Sequence, residues 1–454
     1  MTEYDAIIVG TGQAGPSLAR RLAAKGNRVA IIERALFGGT CINTGCTPTK
    51  ALVASAYAAH IVRRASEYGV TVDGTVTIDM KQVKARKDAI VAASRNGVEA
   101  SLRRTTNVTT IQAHASFVSP HQVTIGNEIL HAPRIFINVG ARPAIPPIPG
   151  LDTVPFLTSS TILDLDHIPE HLIVIGGSYV GLEFAQIYRR FGSAVTVIEA
   201  SPRLVGREDP EISDNVRQIL QAEGIQIRLN AKTTRVSPGI NVSIDHPEEP
   251  GAIIGSHLLL AVGRRPNTDD LGLDKAGVAV DAKGYIKVDD TLRTSVDGIW
   301  AMGECNGRGA FTHTAYNDFE IVAANLLDGG SRGVHDRITA YSLFIDPPLG
   351  RVGMNEAEAV AAGHKVLVGS LPMASVSRAY EKGETLGLMK IMVDGETKQI
   401  LGAAILGTGG DEVVHSILDL MYTKAPYTIL QQVVHIHPTV AEFIPSLLLN
   451  MKSV

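Results

Sequence analysis

Short apolar runs closed by glycine recur along the chain and set its organisation. The run Asp5-Ala-Ile-Ile-Val9 leads into Gly10-Thr-Gly12-Gln-Ala-Gly15, a helix-length stretch follows, and a second run, Val29-Ala-Ile-Ile, stops at Glu33. That order predicts strand, glycine turn, helix, strand, which is a βαβ unit. The same order returns at Leu172-Ile-Val-Ile175, Gly176-Gly-Ser178-Tyr-Val-Gly181 and Val195-Thr-Val-Ile, which stops at Glu199. The two glycine-to-glutamate spans, 10 to 33 and 176 to 199, are both 23 residues, so the unit is repeated. Between the copies, Ile135-Phe-Ile-Asn-Val-Gly140-Ala-Arg-Pro143 reads as a strand leaving one domain. The proline-rich Pro146-Pro-Ile-Pro149-Gly150 reads as a crossover, which places a boundary near 150. A parallel feature, Leu260-Ala-Val-Gly263-Arg-Arg-Pro266, closes the second unit, and Ile299-Trp-Ala-Met-Gly303-Glu304 ends another apolar strand in glycine and an acid. From about Arg337, runs such as Leu388-Met-Lys-Ile-Met-Val393 and Ile400-Leu-Gly-Ala-Ala-Ile-Leu406 predict an antiparallel sheet with later helices.

Each glycine of the repeated unit has its own task. Gly10 permits a tight turn, Gly12 lets the backbone approach a pyrophosphate, and Gly15 packs helix on strand; the helix N-terminus attracts the anion and Glu33 accepts ribose hydroxyls. Two complete units predict two dinucleotide sites, and the acid after Gly303 is placed for a further cofactor hydroxyl. Composition fits a compact globular enzyme of about three domains: 454 residues, 45% hydrophobic and 19% charged. With 42 Lys and Arg against 46 Asp and Glu, nothing global attracts nucleic acid or an anionic membrane. No apolar run reaches the roughly 18 residues of a spanning helix, so the expected compartment is the cytoplasm.

Only three cysteines occur, which excludes a disulfide framework, yet Cys41 and Cys46 stand five apart in Gly38-Gly-Thr-Cys41-Ile-Asn-Thr-Gly45-Cys46-Thr-Pro-Thr-Lys50. In a regular helix that spacing is too wide for a relaxed disulfide, so a bridge distorts the first turn. Gly38, Gly39 and Gly45 supply freedom for the distortion, and a helix N-terminus lowers a thiol pKa; both favour a reducible pair. Near the C-terminus, Gln432-Val-Val-His435-Ile-His437-Pro438-Thr-Val-Ala-Glu442 sets a carboxylate five residues after an imidazole, an arrangement that moves thiol protons. Metal binding by His435 and His437 lacks a third local ligand, and no metal site is expected. Cys305 has no partner in sequence and reads as a buried or incidental thiol.

Taken together, two nucleotide units, Cys41-x-x-x-x-Cys46 with Lys50, Gly303-Glu304 and His437-Pro-Thr-x-x-Glu442 resemble the pyridine nucleotide-disulfide oxidoreductases over essentially the whole chain. The resemblance implies an α/β protein with two Rossmann-like domains and a C-terminal α+β dimerisation domain. The expected bounds are 1–150 and 278–336 for the FAD domain, 151–277 for the NAD(P) domain and 337–454 for dimerisation. It implies FAD at Gly10, Gly12, Gly15, Glu33, Thr40, Lys50, Ala115, Gly140, Gly303, Glu304 and Thr312, and NAD(P)H at Gly176, Ser178, Gly181, Glu183, Glu199 and Gly263. Cys46 matches the thiol that touches the flavin and Cys41 the thiol that attacks substrate. His437 and Glu442 act in trans across a homodimer, Lys50 pairs with Glu183 near the flavin, and Tyr179 gates the nicotinamide pocket. Glu199 followed by Ala200 favours NADH over NADPH, because the acid bonds ribose hydroxyls and repels a 2′-phosphate. Ser178 departs from the expected middle glycine and Glu304 from the usual Asp.

Pro347-Pro-Leu-Gly-Arg-Val-Gly353-Met and Ser377-Arg-Ala379 look most similar to the mercuric-reductase-like branch that includes bacterial reactive-chlorine-resistance flavoproteins. The last residues, Leu447-Leu-Leu-Asn-Met-Lys-Ser-Val454, lack the cysteine pair that delivers Hg(II) in true mercuric reductases. The expected acceptor is a small oxidant: a disulfide, a reactive sulfur or chlorine species, or a metal ion such as Hg(II) or Cu(II). Two other readings stand beside it, a dihydrolipoamide dehydrogenase and a nucleotide-binding redox sensor with little turnover.

Overall fold

The computed structural model describes residues 1–454. They form two compact units, one of Met1–Ala51, Lys81–Ala144 and Gly263–Arg337, the other of Leu52–Met80, Ile145–Val262 and Ile338–Val454.

In the first unit five parallel strands line up in the order Ile299–Ala301, Ile135–Ile137, Ala6–Val9, Val29–Glu33, Val108–Gln112. The glycine-turn strand Ala6–Val9 therefore lies at the centre, and the sheet continues on either side of it. Open parallel sheets bind ligands at such a switch point, beyond the strands' carboxyl ends, and the Gly10 turn sits there. The strands are β-branched and buried on both faces: Ile7, Ile8, Ile31 and Ile32 are at most 1% exposed and each burial contributes roughly 1.5–3 kcal/mol. One face packs on the helix Ala14–Ala24, whose Leu18 and Leu22 meet Phe319 and Val322 of the helix Thr312–Leu327 in one core.

The second unit repeats the plan with five parallel strands, Leu157–Thr158, His257–Leu260, His171–Ile175, Ala194–Ile198 and Gln226–Arg228, again with the glycine-turn strand central. Its C-terminal part is a six-stranded antiparallel sheet, in the order Ala340–Leu343, Leu349–Gly353, Ile400–Leu406, Leu388–Asp394, Val366–Pro372, Lys452–Ser453, with the helix Gly410–Tyr422 packed on it. The fold is thus the expected α/β class with two Rossmann-like parts and a C-terminal α+β part. Residues 263–277 lie in the first unit: Arg264–Pro266 pairs antiparallel with Ala141–Pro143, and Leu271, Leu273 and Ala276 share a core with Ile7 and Val9. No helix is long and apolar enough to cross a membrane.

Candidate active site

The two glycine turns are built alike. A Cβ on Gly10 would stand 2.3 Å from the Asn138 carbonyl oxygen, and one on Gly176 2.4 Å from that of Ala261, so neither position accepts a side chain. Gly15 and Gly181 repeat the pattern against the carbonyls of Gly10 and Gly176, at 2.5 and 2.2 Å. Each terminal acid then bonds its own loop. Glu33 Oε2 accepts from Thr11 N at 3.0 Å and Thr11 Oγ1 at 2.6 Å, and Glu199 Oε2 accepts from Gly177 N at 2.7 Å. Both carboxylates are thereby fixed beside the glycines, where a ribose would present its hydroxyls. Ser178, exposed, begins the turn into the helix Tyr179–Phe191.

Asn138, unremarked in the sequence beyond its strand, ties the first cradle together. Its Oδ1 accepts from Gly15 N at 3.0 Å and its Nδ2 donates to Met302 O at 2.9 Å, while Gly303 N donates to Asp318 Oδ2 at 2.7 Å. The available signal was a polar residue interrupting the apolar run Ile135-Phe-Ile. Glu304 is gripped by Arg264, whose Nε stands 2.8 and 3.0 Å from its two oxygens. Gly140 has φ of +63° in the turn after Asn138, Gly263 opens the last segment of this unit, and Ala115 is buried at the start of strand Ala115–Ser119, where it offers only backbone.

The cysteine segment breaks where the spacing requires it. A six-residue helix, Gly39–Thr44, ends at Gly45, and a new helix, Cys46–Arg63, begins at the second cysteine. A Cβ on Gly45 would lie 2.8 Å from Thr40 O and 3.1 Å from Cys41 Cα. The bare glycine thus lets the chain fold back on Thr40, and it brings Cys41 and Cys46 within hydrogen-bond reach of one another as thiols. Cys46 Sγ is 3.2 Å from Thr312 Oγ1, at the start of the helix Thr312–Leu327. The expectation of a lowered thiol pKa does not hold for Cys41. Its thiol is pushed up, first by the hydrogen bond to Cys46 and then by burial, because a second sulfur, not a cation, faces it. Cys305 is fully buried against Met302 O and Ile137 O, and burial pushes its thiol up to about 12, as suits an inert residue.

The second unit holds the remaining groups. His437 Nδ1 stands 2.9 and 3.1 Å from the two oxygens of Glu442, which also accepts from Thr439 N. The imidazole is 75% exposed, with Val434 and Ile436 nearly bare beside it. Glu183 is buried and accepts from Phe344 N at 3.0 Å, while Lys50 lies on the helix Cys46–Arg63 in the first unit.

Tyr179 has partners that the sequence did not announce. Its hydroxyl donates to Glu208 Oε1 at 3.1 Å, Tyr341 donates to the same atom at 2.7 Å, and the two rings meet edge-on at 5.4 Å. Burial pushes both tyrosines up and raises Glu208 as well, against the pull of Arg351. Arg351 bonds Asp209 at 3.0 Å, and Lys390 bonds Glu211 and Glu356 at 2.6 and 2.7 Å. These acids and bases lie up to 182 residues apart in the chain, so no local pattern announces them.

Residues 4–318 match the family described as pyridine nucleotide-disulphide oxidoreductase, and residues 339–447 match its dimerisation domain. The chain belongs to this family and is an NAD(P)H-dependent flavoprotein disulfide oxidoreductase. Among its relatives, the probable pyridine nucleotide-disulfide oxidoreductase RclA of Escherichia coli (strain K12) is 39% identical over 450 residues, 97% of this chain and 98% of that protein. A mercuric reductase of Streptomyces lividans is 34% identical over 421 residues, 91% of this chain and 89% of the other. A solved structure described as a Cu(II) complex of the HOCl-induced flavoprotein disulfide reductase RclA from Escherichia coli superposes with a TM-score of 0.88 at 37% identity, over 97% of this chain and 98% of that one.

FAD is the family's cofactor, and the first cradle fits it. Gly10 and Gly12 leave room where a Cβ would stand, Glu33 is held beside them by Thr11, where it could meet a ribose, and the cysteine pair follows in the same unit.

Proposed function

We propose that the protein passes electrons from NAD(P)H, with NADH preferred, through FAD and a Cys41–Cys46 disulfide to a small oxidised acceptor. The observation that carries this reading is the break at Gly45, which sets Cys41 and Cys46 side by side next to Thr312, in the unit of the first dinucleotide cradle. Bound FAD would supply the two-electron relay between nicotinamide and disulfide. Reduction of the disulfide by two electrons and two protons yields two thiols. With a disulfide or a chlorine species, Cys41, as thiolate, attacks the acceptor and displaces its leaving group, and Cys46 then attacks Cys41, releases the reduced acceptor and restores the disulfide; a thiophilic ion would instead be ligated by the thiolates, with bound reduced FAD supplying the electrons.

The other residues manage charge and geometry. His437 takes the Cys41 proton and returns it to the leaving group, with Glu442 on Nδ1 holding the ring so that Nε2 faces the reaction. The 75% exposure of His437 suits a residue that serves the partner subunit's cysteines. Lys50 supplies a positive charge near the reduced ring. Tyr179 covers the nicotinamide pocket until NADH displaces it, and Glu199 bonds the ribose that carries no 2′-phosphate.

The acceptor belongs to the class of disulfides, reactive sulfur or chlorine species, and thiophilic ions such as Hg(II) and Cu(II). RclA's description as HOCl-induced and bound to Cu(II) favours reactive chlorine species and Cu(II), while the missing C-terminal cysteine pair weighs against efficient turnover of Hg(II). An acceptor screen that follows NADH and NADPH oxidation by the purified flavoprotein tests the assignment. Turnover with one of these oxidants, lost in Cys41→Ser, is expected; efficient turnover of dihydrolipoamide with NAD⁺ instead would overturn it.

A further inference from the structure

Two histidines 90 residues apart in sequence face each other at the amino-terminal end of strands in the second parallel sheet. His257 opens the strand His257–Leu260, where its register against Leu172 fixes its position, and His167 lies in the loop before the strand His171–Ile175. Their Nε2 atoms are 3.2 Å apart, and the ring centres are 5.2 Å apart with the planes inclined at 54°.

The other edge of each ring decides what those nitrogens carry. His167 Nδ1 is 3.1 Å from Asp166 Oδ1, a carboxylate that only accepts, so the Nδ1 proton points there. His257 Nδ1 is 3.0 Å from Ser256 Oγ. That hydroxyl accepts from His171 N at 3.0 Å and has His171 O at 3.1 Å for its single hydrogen; with the hydrogen placed there, it accepts again from His257 Nδ1. In that arrangement both Nδ1 atoms are protonated and the neutral rings aim two Nε2 lone pairs at each other, whereas the other His257 tautomer would make a simple Nε2–H···Nε2 bond. Lone pairs at 3.2 Å repel unless a cation lies between them.

We propose that His167 and His257 form a surface site for a divalent zinc-class ion, each binding through Nε2. Two imidazole nitrogens on one tetrahedral ion at about 2.05 Å stand about 3.3 Å apart, and their ring centres about 5.1 Å apart. Both spacings match those present. The carboxylate and the hydroxyl on the Nδ1 edges are the outer partners that orient metal-binding histidines. No third His, Cys, Asp or Glu reaches the pair, so water completes the coordination and the ion exchanges with solvent. Bound metal would clamp the loop before His171 to the strand His257–Leu260.

Calorimetric titration of the oxidised, chelator-treated holoenzyme with Zn(II) tests the site. One Zn(II) per chain is expected to disappear in both His167→Ala and His257→Ala, and Asp166→Asn should weaken it 10–100-fold. Zn(II) should also raise the melting temperature of the wild type but not of His167→Ala, with flavin content and NADH oxidation unchanged in that variant. Equal Zn(II) binding by the wild type and both alanine variants, or none by the wild type, would overturn the proposal; the latter leaves a proton alone between the rings.

Discussion

Gly45 shows how one missing methyl group shapes the redox segment. Any Cβ there collides with the backbone oxygen of Thr40, which cannot swing aside as a side chain would. Gly45→Val should therefore push the cysteines apart at a cost of about 1–3 kcal/mol in stability. Acceptor turnover is expected to fall at least tenfold, about 1.4 kcal/mol of barrier, while flavin remains bound. Unchanged turnover would mean that the break does not set the thiol geometry. Glu208 makes a second residue-level case. Burial raises its carboxyl above the ordinary 4.5, so the folded state holds that proton more tightly than the unfolded chain does. The stability it contributes is present at low pH and is lost as pH rises through the raised value. Glu208→Gln stays neutral, so its melting temperature relative to wild type should climb as pH rises through the raised Glu208 value and level off above it. A difference that stays flat with pH would contradict a raised Glu208.

At the scale of elements, the two glycine turns were legible because their determinants are local. Glycine spacing, strand and terminal acid all fall within 23 residues, and the bonds from Thr11 to Glu33 and from Gly177 to Glu199 follow from that spacing. The helix break at Gly45 was readable for the same reason. What sequence did not yield are pairings between distant elements: Asn138 with Met302, Arg264 with Glu304, and Tyr341 with Glu208 have separations of 164, 40 and 133 residues. Nor could it anticipate that the strand Arg264–Pro266 joins the first unit, since that depends on pairing with Ala141–Pro143. Asn138 gives this scale its test. Asn138→Ala strips the bonds to Gly15 N and Met302 O from a buried site, and each group left unpaired costs about 1–3 kcal/mol. A lowered melting temperature with flavin lost on gel filtration is expected. Full flavin retention at unchanged stability would show that the cradle does not need the link.

For the whole molecule, the exposed His437 and the exposed Val434 and Ile436 near it in sequence all fall within the dimerisation domain, residues 339–447. Apolar side chains that open are usually covered by a partner. If His437 serves the other subunit, inactive Cys41→Ser and His437→Gln chains should complement when mixed and reassociated. Each heterodimer then keeps one intact site, so about a quarter of wild-type activity should return on random pairing. No recovery on confirmed exchange would place His437 with its own chain's cysteines.

The central claim, electron flow through the Cys41–Cys46 pair, is tested most directly by anaerobic addition of NADH to the oxidised flavoprotein while its long-wavelength absorbance is followed. The account predicts a thiolate-to-flavin band that appears in the wild type on NADH addition, is already present before NADH in Cys41→Ser although acceptor turnover is gone, and is absent in Cys46→Ser. No band in the wild type, or equal loss of the band in both cysteine variants, would contradict it.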